Sequence, residues 1–307
     1  FKALYRYKGL SIFFDFLLAG ACGLLVCRLR DSEAQMLFAG VYAAVLLLPV
    51  TYLNSAAWAQ CDSIYIAFVI MALCFLFEKK YVPSFLLLGV ALAFKMQMIF
   101  ILPFFLFYYF LEKKYSILNF ILILAGWYGL SIPGILMRGN WLEPYQLYFQ
   151  QTDTHRLMWL NFPSFWILVG DNYEMLKKPA ILITVSVLGM ALAYAMYEGK
   201  RLEQPLAFLQ MAAWTAWTCI LFLPAMHERY SYMVDILLIL LIFVNSRYWI
   251  ITAVEVISSL LRYQTYLFDG AEVSIIHAVI YLGAWLWFTW LVFFRTSSEA
   301  ELQMQGN

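Results

Sequence analysis

The chain has 307 residues, of which 64% are hydrophobic and 13% charged, and its formal net charge is +1. A water-soluble domain is about half apolar and about a quarter charged, so this composition excludes a soluble fold and indicates an all-α, polytopic helical membrane protein. The near-neutral charge gives no sign of a nucleic-acid partner. Aromatic residues make up 19%, which suits membrane-interface belts and contacts with sugars or lipids.

The chain opens at Phe1, with Lys2, Arg6 and Lys8 in its first turns and no secretory signal pattern. It reads as starting in the middle of something, so a missing N-terminal part is expected. Apolar runs near the ~20 residues that cross ~30 Å of hydrocarbon then follow. They fall at 9–29, 34–53, 63–77, 82–95, 97–111, 115–137, 179–197, 205–225, 230–245, 247–262 and 274–294, which predicts about eleven spans. The runs at 63–77, 82–95, 97–111 and 247–262 are short. Pro83, Pro179 and Pro205 are placed at helix starts, where a missing N–H costs nothing, and Pro103 and Pro133 are placed to kink their runs. The five cysteines, Cys22, Cys27, Cys61, Cys74 and Cys219, form no CxxC pair and read as small buried hydrophobes.

Basic residues mark alternate connections: Arg28 and Arg30, Lys79 and Lys80, Lys113 and Lys114, Lys200 and Arg201, Arg247, and Arg295. By the positive-inside rule these are cytoplasmic. The intervening connections are then external. They carry Asn54-Ser55-Ala56-Ala57-Trp58-Ala59-Gln60-Cys61-Asp62, Lys95, the loop 138–178, His227-Glu228-Arg229, and 263–273. Lys2, Arg6 and Lys8 fall on the external side, which an odd number of missing upstream spans would explain. The loop 138–178 carries Trp141, Tyr145, Tyr148, Phe149, Trp159, Phe162, Phe165 and Trp166 beside Asp153, His155, Arg156 and Asp171. Disordered loops are poor in aromatics, so short amphipathic helices lying on the outer leaflet are expected there. Residues 1–295 read as one membrane module and 296–307 as a polar, disordered tail.

The candidate residues for chemistry sit in three external islands. No Walker loop, dinucleotide glycine pattern, HExxH or GxSxG occurs, and the three histidines, His155, His227 and His277, are too scattered to mark a zinc site. Asp62 either caps the helix that starts near Ser63 or, with Gln60, faces a substrate. Lys95 either snorkels or holds a phosphate, with Gln97 adding a second polar group. His227, Glu228 and Arg229 either form a local salt bridge or offer a titratable base, a carboxylate and a phosphate-binding guanidinium. Asp235 and Glu255 stand within apolar runs, where ionisable groups are usually functional. His277 reads as a satisfied bundle histidine.

On these residues the sequence resembles the bacterial relatives of the GPI mannosyltransferase II family, polytopic GT-C-type glycosyltransferases. The resemblance rests on NSAAWAQCDSIY, LGVALAFKMQMIFILPFFLF and LPAMHERYSYMVDILLILL, and covers most of Gly9 to Phe243. Asn54, Trp58, Gln60, Asp62 and Tyr65 match its first motif, Lys95 and Gln97 the second, and His227, Glu228, Arg229 and Tyr230 the third. Ala59 stands where the family usually has glycine. The resemblance implies transfer of a hexose, mannose foremost, from a polyprenyl-phosphate sugar to a lipid-linked or surface glycan acceptor. It implies a bacterial plasma membrane and an external active site. Asp62, His227 and Glu228 would be catalytic. Asn54, Trp58, Gln60, Tyr65, Lys95, Gln97, Arg229 and Tyr230 would bind substrate. A divalent metal is left open. The family's essential acidic residue in its first external loop would precede Phe1, leaving this stretch inactive alone. A transporter or flippase for lipid-linked saccharides is the rival reading. A polysaccharide polymerase or ligase suits the 138–178 loop but not the three motifs.

Overall fold

The protein's structure, a computed structural model, describes residues 2–142, 144–146 and 156–295, with backbone only for Lys2 and Ala3. Every predicted apolar run is helical. In chain order the first helices are α1 (Lys2–Leu29), α2 (Gln35–Leu47), α3 (Pro49–Tyr52), α4 (Asp62–Phe77), α5 (Tyr81–Phe94), α6 (Leu102–Glu112) and α7 (Ile121–Arg138). They are followed by α8 (Tyr173–Tyr197), α9 (Pro205–Phe222), α10 (Tyr232–Val244), α11 (Trp249–Leu267) and α12 (Ile275–Trp290).

Length separates these helices. Five stretches are long and apolar enough to cross a membrane: Leu4–Leu29, Ile117–Arg138, Tyr173–Tyr197, Pro205–Phe222 and Ile275–Arg295. The pair Gln35–Leu47 and Pro49–Ala57, bent by 52°, makes a sixth. Asp62–Phe77, Tyr81–Phe94, Met96–Glu112 and Tyr232–Val244 are apolar but shorter. The chain is thus an all-helical membrane protein with, among the described residues, five or six helices of full span length, where the sequence led us to expect about eleven spans. Lys79, at φ 62°, and Lys95, extended at φ −157°, interrupt the apolar stretches before they reach full length. The 247–262 run falls short for another reason. Helix α11 buries Thr252, Glu255, Ser258, Ser259 and Arg262 on one face, and exposes Ile250, Ile257 and Leu261. A polar stripe inside and an apolar one outside suits a bundle bathed in lipid.

The structure divides into two compact units. The first takes the described residues of Phe1–Leu102 and Lys113–Arg156. Here α1 packs on α2 and α4, α4 on α5, and α5 on α7. The α5–α7 crossing needs two glycines. A Cβ on Gly89 would stand 2.2 Å from the Ile123 carbonyl oxygen, and one on Gly126 would stand 2.3 Å from that of Leu86. Small residues let membrane helices approach this closely. Only 17% of the apolar window in Ile117–Arg138 is buried, so its exposed Ile121, Leu124, Leu130 and Leu136 require a lipid solvent.

The break at the first unit's central junction has a local cause. Pro49 clashes with a helical residue before it, and Leu48 is accordingly extended at φ −62°, ψ 121°. The chain restarts as α3, widens into a π-turn over Leu53–Ala57, and ends at Ala59, which is left-handed at φ 61°. The π-turn buries Asn54 and Ser55.

The second unit takes Pro103–Glu112 and the described residues of Leu157–Asn307. Its centre is α9, whose apolar window is 83% buried. Phe208 meets Phe104 of α6, and Trp214 meets Trp285 of α12. Helix α8 is the opposite case, with 17% of its window buried. It begins at Tyr173 under an Asn172 cap, with Pro179 inside it rather than at its start as the sequence suggested. Two short strands, β1 (Trp159–Leu160) and β2 (Met226–His227), pair in parallel. Of the loop 138–178, the described part carries a helical stretch at 144–146, β1, a 3-10 turn over Phe165–Leu168 and the start of α8; the amphipathic helices expected there fall partly on residues outside those described. Tyr148, Phe149, Asp153 and His155 lie outside the described residues, as does the tail 296–307.

Candidate functional site

The polar islands build one cluster in each unit. In the first unit, Asp62 is 1% exposed and is the opening residue of α4. The sequence allowed it to be that helix's cap, but Cys61 takes the cap position without a side-chain bond. The Asp62 carboxylate instead accepts from Asn54 Nδ2 at 3.0 Å and from the Lys95 ammonium. Lys95 follows the last turn of α5, and its side chain is 15% exposed. The first two sequence motifs therefore meet through an ion pair. Its Coulomb energy is large away from water, and each partner would be costly there alone.

A second carboxylate stands in the same unit. Asp15 of α1 is 5% exposed, and both its oxygens accept serine hydroxyls, from Ser55 and Ser63. Ser55 lies in the same junction as Asn54 and Asp62, and Ser63 follows it directly. One turn of α1 and the π-turn are further joined by Lys8 Nζ, which donates to the Ala57 carbonyl at 3.1 Å. Gln60 N–H donates to the Asn54 carbonyl at 2.9 Å, and Trp58 N–H to that of Leu53 at 2.9 Å. These bonds hold the half-buried Trp58 and Gln60 on a fixed turn. Tyr65 is buried one turn into α4. Gln97 is half-buried on a 3-10 turn, and its Oε1 accepts no hydrogen bond among the described residues.

The basic connections gather at the other end of this unit. Arg28 Nε lies 2.9 Å from Glu78 Oε1, and Lys80 Nζ lies 2.6 Å from Glu78 Oε2. Helix α4 separates this group from Asp62 by about 24 Å, at 1.5 Å per residue. Lys8 stands at the Asp62 end.

In the second unit, His227 closes β2 and Glu228, Arg229 and Tyr230 follow. Glu228 is 1% exposed. Its Oε1 accepts from Arg229 Nη1 at 2.7 Å, and its Oε2 lies 3.6 Å from His227 Nδ1. The His227 ring and the Arg229 guanidinium both lie against Tyr230, at 5.1 and 5.9 Å. The local salt bridge read from the sequence is present, with the histidine and arginine on either side of one carboxylate.

Behind this segment lies a buried polar network. Arg262 donates from Nε to the Glu228 carbonyl at 3.0 Å, from Nη1 to Ser258 at 2.9 Å, and from Nη2 to Ser259 at 2.7 Å and to Ser231. Glu255 Oε1 lies 3.4 Å from Nη2 and accepts from the Tyr281 hydroxyl at 3.0 Å. Asp235 accepts from Ser259 at 2.7 Å. The Ser258 hydroxyl accepts from Arg262, so its proton is free to reach His277 Nε2 at 2.6 Å. One ring nitrogen of His277 is thereby satisfied within the helix bundle, as the sequence suggested. At this unit's other end Lys200 donates to the Val292 carbonyl at 2.9 Å, and Glu112 meets Arg201 at 3.6 Å. Burial lowers the Lys200 pKa, and Glu198 opposes the shift.

The three motifs thus provide two fixed polar clusters, Asn54–Asp62–Lys95 and His227–Glu228–Arg229. Asp15 and Arg262 escaped the sequence reading. Both are ionisable residues inside apolar runs, the rule that did pick out Asp235 and Glu255. No three His, Cys, Asp or Glu side chains among the described residues gather as a metal site requires. Compared with protein-family models and with curated proteins, the chain finds no match in either.

Proposed function

We propose that the chain belongs to a membrane glycosyltransferase of the GT-C type. It transfers a hexose, mannose foremost, from a polyprenyl-phosphate sugar to a lipid-linked or surface glycan acceptor at the external face. The observation that carries this reading is the meeting of buried Asn54 and Asp62 with the half-buried Lys95 in one polar cluster. Residues 33 positions apart, drawn from separate motifs, meet where ionisable groups in apolar helices are usually functional.

The reaction forms a bond from the acceptor oxygen to the sugar's anomeric carbon and breaks the bond from that carbon to phosphate. The acceptor proton passes to a carboxylate, and the phosphate leaves with the bonding electron pair. Of the motif carboxylates, Asp62 is assigned to the sugar or acceptor and Glu228 to orienting the phosphate. Lys95 and Arg229 each supply a cation suited to phosphate charge, and in the resting chain each is paired with its neighbouring carboxylate. His227 orients a phosphate or hydroxyl. Trp58, Gln60 and Tyr65 offer an aromatic face and polar atoms to a sugar.

The test uses the complete protein in lipid with radiolabelled polyprenyl-phosphate mannose. Transfer by the wild type, lost in Asp62→Asn and His227→Ala, with weaker donor binding in Lys95→Ala and Arg229→Ala, is the expected result. Unchanged donor affinity in both cation variants would refute their assignment. The Asp235–Glu255–Arg262 network favours a second reading, a flippase for lipid-linked saccharides, because buried charges in membrane helices also mark transport pathways. Movement of a lipid-linked glycan without sugar transfer would establish it.

A further inference from the structure

We infer that Arg262 is a positioning residue for the His227–Arg229 segment, setting the orientation of the side chains that meet the sugar phosphate. The inference rests on the transferase reading for its kinetic consequence, but not for its structural one. Arg262 is 0% exposed and lies 34 residues from the backbone carbonyl it holds, that of Glu228. Glu228 stands between His227 and Arg229 in the chain, so holding its carbonyl restrains the backbone from which both side chains leave.

Every degree of freedom of Arg262 is restrained. Its guanidinium lies against the rings of both Phe162 and Tyr281, at 4.9 and 5.2 Å. Three serine hydroxyls and Glu255 fix its Nη atoms. Its own backbone carbonyl accepts from Asn161 Nδ2 at 3.3 Å. Asn161 follows β1, which pairs with β2, where His227 lies. The Arg262 backbone and its guanidinium therefore hold the residues that follow both strands, Asn161 and Glu228.

A purely architectural role does not account for a charge here. Desolvating a guanidinium costs several kcal/mol, and an apolar residue of similar volume often serves stability as well or better. What an apolar residue cannot supply is a directional donor to the Glu228 carbonyl. Placement within about 1 Å is worth as much as ~100-fold in rate where a reaction depends on oriented groups.

The experiment compares the wild type with Arg262→Lys, which keeps the charge but loses the fork, and with the double variant Arg262→Met/Glu255→Gln. The double variant removes cation and facing carboxylate together, so that it folds if Arg262→Met alone does not. Folding is read by thermal unfolding of the complete protein in lipid. The position of His227 is read by the NMR spectrum of protein labelled at histidine, with His227→Ala to assign its signal. In folded samples of both variants the His227 resonance should shift or broaden, and kcat should fall about 10- to 100-fold at near-wild-type thermal stability. An unmoved His227 resonance in the folded variants overturns the inference, as does wild-type kcat and KM. If the wild type transfers no sugar from any polyprenyl-phosphate donor, the transferase reading fails, and the histidine spectrum alone decides the role of Arg262.

Discussion

The Asp62–Lys95 pair permits a quantitative test of how the first unit holds its charges. Lys95→Met removes the cation from a carboxylate that is 1% exposed and that still accepts from Asn54. Stranding a buried charge costs about 3–5 kcal/mol. Asp62→Asn strands the ammonium instead. Lys95 is 15% exposed and its long stem can carry the charge toward water, so about 1–2 kcal/mol is expected, the scale of an unmade hydrogen bond. The two losses are therefore unequal, with the lysine variant the worse. The double variant removes both charges and should recover about 0.5–3 kcal/mol of the summed loss, the range for residues in direct contact. The assay is reversible unfolding in mixed micelles with added SDS, following tryptophan fluorescence. Losses that add to within about 0.5 kcal/mol, or a larger loss in Asp62→Asn, would refute the pairing as the reason these groups are buried.

Gly89→Val should destabilise the protein by at least the ~1–3 kcal/mol of ordinary overpacking, since its Cβ would fall 2.2 Å from a backbone oxygen. The same unfolding assay checks this, and an unchanged midpoint would mean that α5 and α7 are not in close contact. Ala59→Gly relieves the left-handed strain at φ 61°, worth about 1–2 kcal/mol for a non-glycine residue. Part of that gain returns to the unfolded chain as entropy, so the expected effect is neutral to about 1 kcal/mol stabilising. Ala59→Val should lower the unfolding midpoint. Leu182→Cys on the exposed face of α8 should react with a bilayer-soluble thiol probe, whereas Ala180→Cys, buried on the same helix, should not. Equal labelling of the two would mean that α8 does not present that face to lipid.

How much of the candidate site could be read in the sequence depends on distance along the chain. The NSAAWAQCD junction stood out because it is polar between apolar runs. The Pro49 that breaks the helix before it acts on the adjacent residue, so the break is a local event. The glycine that the resemblance led us to expect at Ala59 has a local reason too, in the positive φ there. Asp15 gave no comparable signal. It is one carboxylate in a 28-residue helix, and its partners Ser55 and Ser63 lie 40 and 48 positions away. The same holds for Arg262, whose bond to the Glu228 carbonyl joins the end of α11 to the turn after β2.

Composition and apolar run length by themselves determined that this is an all-helical membrane protein, and roughly where each helix falls. Burial of apolar surface and satisfaction of backbone hydrogen bonds are properties of each segment, summed along it. The tertiary structure alone decided which helices reach full span length, that Lys95 pairs with Asp62, and that Arg262 supports the His227–Arg229 turn. A charge in a low-dielectric interior is stabilised by whichever opposite charge or dipole lies within a few ångströms. That neighbour is set by helix packing, which no stretch of sequence contains.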